Sequence, residues 1–215
     1  MKNKKILIFG AGSDIAQSLS KKLEKNNILY KVSSNKDFVN NSEKNNWFYS
    51  TFEDLNTINQ TINKIDNIDV LIIFNGRLTS SKKASLEEDR ELIDINFIYP
   101  KIIISKIIEK YRSSNLHIAA VTSVAGERGR YKNITYSSSK AALNSYLSSI
   151  RQKYSMHKIT TIKLGMVKTK MTSHLNLNKF LADTPEDASN LILKGLQLKK
   201  DIIISFKWKL IMSII

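Results

Sequence analysis

The chain has no cysteine among its 215 residues, which rules out a disulfide framework and any thiolate-bound metal. Histidine is scarce. His117, His157 and His174 stand far apart without ligand spacing, so the sequence predicts no metal centre. Long apolar runs are missing as well. The opening MKNKKILIFG reaches a glycine before it attains signal-peptide length, and no later run is long enough to span a bilayer, so a cytoplasmic location is the expectation. Acidic residues are outnumbered, 19 against 34 basic ones, for a formal charge of +15. That balance suits a nucleic-acid binder or a protein resting on anionic lipid. The lysines, however, are spread along the whole chain with no patch, motif or aromatic platform, so nucleic acid is not an expected partner.

What is present is a globular composition, 42% hydrophobic and 25% charged, long enough for one sizeable core. Apolar runs recur as KKILIFG (4–10), NILYKV (27–32), NWFYS (46–50), IDVLIIFNG (68–76), LHIAAVTS (116–123), KITTIKLG (158–165) and DIIIS (201–205). Each is short and rich in Ile, Val, Leu or aromatic residues, as expected of strands buried on both faces. Most of the gaps carry helical spacing: Ile15, Leu19 and Leu23; Leu55, Ile58, Ile62 and Ile65; Leu92, Ile95, Ile98, Ile102 and Ile103. The alternation predicts an α/β fold, a doubly wound parallel sheet of about seven strands with helices on both faces. One domain is expected over 1–205, followed by an apolar, basic tail at 206–215. Asp14 with Gln17 reads as a capping box, and Thr184-Pro185-Glu186-Asp187 as a cap, a first-turn proline and two carboxylates. The stretch from Gly165 to Thr184 is the one long connection, a length typical of lids and binding loops.

Two short stretches carry chemistry. GAGSDIA, residues 10 to 16, follows the first predicted strand and opens the first helix. Glycines there let backbone approach a pyrophosphate, and the helix N-terminus offers unpaired N–H groups to it. YSSSK, residues 136 to 140, places a phenol and an ammonium four residues apart, hence one turn apart on one helix face. A free phenol has a pKa of about 10, so it shuttles protons poorly near neutrality until a neighbouring cation stabilises the phenolate.

These stretches, taken in order with Asn96 and with Ser123 in VTSVAG, resemble the short-chain dehydrogenases/reductases over nearly the whole chain. The resemblance implies a Rossmann-type sheet and the catalytic residues Asn96, Ser123, Tyr136 and Lys140. Tyr136 would pass the proton, Lys140 would stabilise the phenolate and hold the nicotinamide ribose, Ser123 would bind the substrate oxygen, and Asn96 would hold a water feeding Lys140. Leu164-Gly165-Met166-Val167-Lys168-Thr169 keeps the family's turn after the sixth strand, except for its proline. Other departures are Asp14 and Ala16 at the second and third motif glycines, Phe74-Asn75-Gly76 where Asn-Ala-Gly is usual, and Thr51 near the usual aspartate. A carboxylate beside a pyrophosphate would repel it, so Asp14 is expected to be tied to backbone amides as a cap.

The implied cofactor is a dinucleotide. The end of the second strand, Val32-Ser33-Ser34-Asn35-Lys36, has nothing acidic before Asp37, so the expectation is NADP rather than NAD. Expected contacts are Gly10, Gly12, Ser13, Asp14 and Ile15; Ser33, Ser34 and Lys36; Asn75 and Gly76; Tyr136 and Lys140; and Gly165, Val167 and Thr169. Met166, Met171, Leu175, Leu177, Phe180 and Leu181 would form an apolar lid, while Arg77, Arg128, Arg130, Lys132, Lys168 and Lys170 lie where they could hold a substrate phosphate or carboxylate. The tail FKWKLIMSII could pack on the core, rest at a membrane interface through Trp208 and its lysines, or begin a longer segment. Similar tails in the family imply a sugar or lipid-linked sugar as substrate. The expected activity is reduction of a small-molecule carbonyl, or oxidation of an alcohol, by a homodimer or homotetramer joined through the helices of Asn96 and Tyr136. The rivals are a non-catalytic dinucleotide-binding sensor or scaffold, and a sugar-nucleotide epimerase, which normally needs a longer chain.

Overall fold

The computed structural model describes the chain except residues 41–45, 52–53, 80–84, 179 and 215 and the side chains at 37 and 38. All seven predicted strands form: β1 (Lys5–Phe9), β2 (Ile28–Ser33), β3 (Trp47–Tyr49), β4 (Val70–Ile73), β5 (His117–Ser123), β6 (Lys158–Leu164) and β7 (Ile202–Ile203). They make one parallel sheet in the order β3-β2-β1-β4-β5-β6-β7. The chain winds outward from β1 in one direction and from β4 in the other, so the order reverses between these two strands.

The helices are α1 (Asp14–Leu23), α2 (Lys36–Asn40), α3 (Leu55–Asn63), α4 (Leu86–Ile93), α5 (Tyr99–Lys110), α6 (Ile134–Lys153), α7 (Pro185–Gln197) and α8 (Phe206–Ile214). Successive strand residues point to opposite faces, and each face is covered. Leu7, Phe9, Leu71 and Ile73 pack with Ile58, Ile62, Ile104 and Leu147 of α3, α5 and α6. Ile6, Ile8, Val70 and Ile72 pack with Leu19 and Leu23 of α1 and Ile192 of α7. Each such side chain contributes roughly 1.5–3 kcal/mol by leaving water. The short outer strands β3 and β7 depart from burial on both faces, as does the start of β2 at Ile28.

Three local details differ from the sequence reading. The cap of α1 is Ser13, whose hydroxyl accepts the Ala16 N–H at 3.2 Å, while Asp14 is already the first helical residue. Gln17 turns back to donate to the Gly12 carbonyl at 2.8 Å. The helical run from Leu92 to Ile103 is broken by a π-turn at Asp94–Ile98. Pro100 has no N–H to give the Asn96 carbonyl four residues back, so the regular ladder cannot continue through this point. Thr184 caps α7 as expected, and Asp187 turns back to complete a capping box with it.

The tail is helical and folds back on the body. Trp208, placed at a membrane interface in one reading, is only 5% exposed, because its indole occupies the space over Gly165 that a side chain there would fill.

At the opposite end of the sheet His117 is buried, its Nε2 2.8 Å from the Thr160 hydroxyl. Thr160 spends its own hydrogen on the Lys200 carbonyl at 2.6 Å, so the imidazole must donate from Nε2. Burial first, then Lys158 and Lys199, lower the His117 pKa from 6.5 to about 4. The unfolded chain therefore holds more protons than the folded one between these values, and stability falls as pH drops through that window, by about 3 kcal/mol in all. Urea unfolding at pH 7 and pH 4.5 should show this loss, and His117→Gln should flatten the difference.

Candidate active site

The C-terminal ends of β1, β4, β5 and β6 frame a cleft of about 250 Å³ beside the point where strand order reverses, the usual ligand position in an open parallel sheet. One wall is the β1–α1 turn. Gly10 has φ +72°, and a Cβ there would stand 2.9 Å from the Phe74 carbonyl carbon, so the turn tolerates nothing larger. Gly12, Ser13, Asp14 and Ile15 follow and line the cleft at the N-terminus of α1. The Asp14 carboxylate accepts the Lys170 N–H at 2.7 Å. It is tied to a backbone amide as expected, but to one brought from across the cleft rather than from its own helix.

The opposite wall is β5 and α6. Ser123 ends β5 and accepts the Ala125 N–H at 3.1 Å, and its side chain lines the cleft beside Tyr136. A Cβ on Gly126 would meet the Lys140 carbonyl carbon at 2.7 Å, so this glycine seats the Ser123 turn directly on the α6 backbone. Tyr136 and Lys140 share one face of α6, with the Lys140 Nζ 6.0 Å from the phenol centroid. All three side chains line the same cleft.

Lys140 is 3% exposed, and among the described residues no carboxylate pairs with it. Its Nζ donates to the Asn75 and Val121 carbonyls, each at 3.4 Å. Burial lowers its pKa from 10.5 to about 8. The same burial raises the Tyr136 pKa, and the Ser123 hydroxyl partly offsets this. The phenol is thus protonated at neutral pH and the amine still charged.

Asn96 is fully buried. Its side chain exchanges two 3.0 Å bonds with the Arg77 N–H and carbonyl, which fixes the turn after β4. That turn carries Gly76, where a Cβ would lie 3.2 Å from the Lys140 Nζ and 3.4 Å from the Asn96 Oδ1. Beside it the Asn75 Oδ1 is buried with no hydrogen-bond partner. Gly165, Val167 and Thr169 line the cleft beyond β6.

Of the expected contacts, Gly10, Ser33, Ser34 and Lys36 are not among the residues that line this cleft. Ser33 is buried at the end of β2, its hydroxyl 3.1 Å from where a Gly12 Cβ would be. Ser34 and Lys36 are exposed, with the Lys36 ammonium 4.9 Å from the Tyr49 ring centroid. Of the expected lid, Met171 lines the cleft, and it is exposed, as are Met166, Leu175 and Phe180. Two features escaped the sequence reading: the Asp14–Lys170 link and the seat of Trp208 on Gly165. A glycine kept after β6 without its usual proline was a signal that something presses on it. Among the described residues no group of three or more His, Asp or Glu side chains is placed to hold a metal.

A dinucleotide fits these residues. The orphaned Asn75 oxygen needs a donor, Lys140 needs acceptors, and Gly10, Gly12 and Gly76 keep the floor free of side chains.

The short chain dehydrogenase family pattern matches residues 4–179, and the chain belongs to that family. An uncharacterised oxidoreductase of Myxococcus xanthus is 32% identical over 139 residues, 63% of this chain and 54% of the relative's length. A 3-oxoacyl-(acyl-carrier-protein) reductase of Rickettsia typhi is 29% identical over 185 residues, 79% of this chain and 75% of the relative. Among solved structures, a short chain dehydrogenase of Burkholderia cenocepacia in complex with NADP superposes with a TM-score of 0.87 at 14% identity, covering 99% of this chain and 92% of that one. A short-chain dehydrogenase of Sphingobium yanoikuyae in complex with NADPH gives 0.82 at 14% identity, covering 98% and 93%.

The unpaired Lys140 charge has a measurable consequence. Lys140→Met removes a cation buried against its preference, so the cofactor-free protein should gain up to about 3 kcal/mol at pH 7 by urea unfolding. The gain should vanish as pH rises from 8 to 10.5, where the folded lysine has shed its proton and the unfolded one has not.

Proposed function

We propose that the protein is an NADP-dependent oxidoreductase that reduces a carbonyl, or oxidises a secondary alcohol, with Tyr136 as general acid and base. The carrying observation is the meeting of Ser123, Tyr136 and an unpaired, buried Lys140 on one cleft wall. A nicotinamide bound in the cleft supplies or accepts the hydride. Ser123 donates to the substrate oxygen as charge builds on it, and Tyr136 delivers its proton to that oxygen. The Lys140 ammonium lowers the cost of the phenolate left behind. Asn96 holds the Arg77 turn against Lys140 through its side chain, and its backbone carbonyl, denied an α-helical donor by Pro100, is the place for a water that returns the proton. A non-catalytic sensor would need neither the phenol nor the amine.

Ser33, Ser34 and Lys36, with no acidic side chain before position 37, favour NADP, and the bound cofactors of the Burkholderia and Sphingobium proteins agree with that choice. Exposed Met166, Leu175 and Phe180 in the segment that also carries Lys168 and Lys170 favour a substrate with an apolar portion and an anionic group, of which a lipid-linked sugar is one. Assembly as a homodimer or homotetramer would join the helical run through Asn96 and helix α6, which contains Tyr136, as the family resemblance implies. NADPH should bind at least 10-fold more tightly than NADH by fluorescence titration. Tyr136→Phe should lower kcat/KM for any reduced ketone or keto-sugar by 10³-fold or more, with NADPH affinity kept within 3-fold.

The outer face of α8 supports a peripheral membrane contact. Phe206, Leu210 and Ile214 recur every four residues and are 82%, 53% and 77% exposed. Lys209 beside them and a charge of +15 complement an anionic bilayer. Among the described residues no helix is long and apolar enough to cross a membrane. Vesicles containing phosphatidylglycerol should carry the protein upward in a flotation assay, and Phe206→Glu with Leu210→Glu should abolish this.

A further inference from the structure

After Leu164 the chain leaves the sheet, and the segment 165–169 then has a single β-bridge among the described residues, Val167 with Asp183. Asp183 donates to the Met166 carbonyl at 2.9 Å and accepts the Lys168 N–H at 2.8 Å. The Thr172 hydroxyl adds to these two bonds, donating to the Val167 carbonyl at 2.7 Å and accepting the Thr169 N–H at 3.0 Å. Gly165, at the start of the segment, is covered instead by α8. A Cβ on Gly165 would fall 1.8 Å from the Trp208 Nε1 and 2.0 Å from its Cε2, so the indole lies directly on this glycine. Next to it, Lys207 pairs with the Asp183 carboxylate at 2.5 Å. One turn further on, the Met212 sulfur accepts from the Arg130 guanidinium at 3.4 Å. Arg130 belongs to the other wall, since its N–H donates to Ser137, next to Tyr136, at 3.3 Å.

We propose that α8 clamps both walls of the cleft, with Trp208 as the positioning residue that holds the 165–169 backbone in the line the dinucleotide requires. The Trp208 Nε1–H is buried without a partner, a cost the fold tolerates for the sake of the ring's shape. It follows that the ring, not the N–H, does the holding. The inference rests on the dinucleotide reading above, but the clamp itself is measurable without any cofactor.

The test uses the full chain. In Trp208→Ala, amide hydrogen exchange at 166–169 should accelerate 10-fold or more while β1, β4 and β5 exchange as before, and NADPH affinity by calorimetry should fall 10-fold or more. Trp208→Phe, which keeps an aromatic ring, though a smaller one, and discards the orphan N–H, should stay within 3-fold of the parent in both. If Trp208→Ala does not fold, Lys207→Ala with Met212→Ala releases the flanking ties without emptying the core and should move both quantities 3-fold or more. Unchanged exchange at 166–169, or unchanged NADPH affinity, in a folded variant overturns the proposal. Accelerated exchange in a protein whose parent binds neither NADPH nor NADH leaves the clamp standing and removes the dinucleotide reading instead.

Discussion

A positive charge without a counter-charge governs this molecule. Lys140 is held inside the protein by two carbonyls at 3.4 Å and, among the described residues, by no carboxylate. An ammonium in such a place is unfavourable unless something arrives to use it. The neighbouring structure is arranged to keep it there. Gly126 brings the Ser123 turn against its backbone, Gly76 leaves room for its Nζ, and Asn96 holds the Gly76 turn by bonding to Arg77. Stability is given up at the one place where a phenol needs a cation, which is the usual pattern of an active site.

The glycines show the same economy. The chain has only seven. At six of them a Cβ would come within 3.2 Å of another atom, and five, Gly10, Gly12, Gly76, Gly126 and Gly165, lie at the C-terminal end of the sheet around the cleft. The sixth, Gly195, lets α7 pack against Ile203 of β7. Gly165 differs from the rest because its intruder is a side chain from the far end of the chain. The last helix has thereby become part of the cleft's architecture, with one face turned inward through Trp208 and the other presenting Phe206, Leu210 and Ile214 to the outside.

Much of this was legible beforehand because it depends on local pattern. Seven short β-branched runs separated by helical spacing admit few arrangements other than a wound parallel sheet. The four-residue interval from Tyr136 to Lys140 sets their common face on any helix. Where the reading erred, a neighbour was competing for the same atoms. Asp14 and Ser13 can each cap α1, and Ser13 does so because the Lys170 amide engages the Asp14 carboxylate. The π-turn at Asn96 was signalled by Pro100, four residues on, but helical spacing of Ile98 and Ile102 masked it.

The order of residues along the chain determined the fold class, the family and the pairing of phenol with amine, because each follows from periodicity or from spacing within one element. Only the folded molecule decided that Lys140 would be unpaired, that Asp14 would reach across to Lys170, and that Trp208 would rest on Gly165. These contacts join residues 65, 156 and 43 positions apart at their widest, Asn75 to Lys140, Asp14 to Lys170 and Gly165 to Trp208. No local preference of the backbone specifies such meetings. They arise when the packing of both helical layers against one sheet leaves a particular side chain as the best filler of a particular gap.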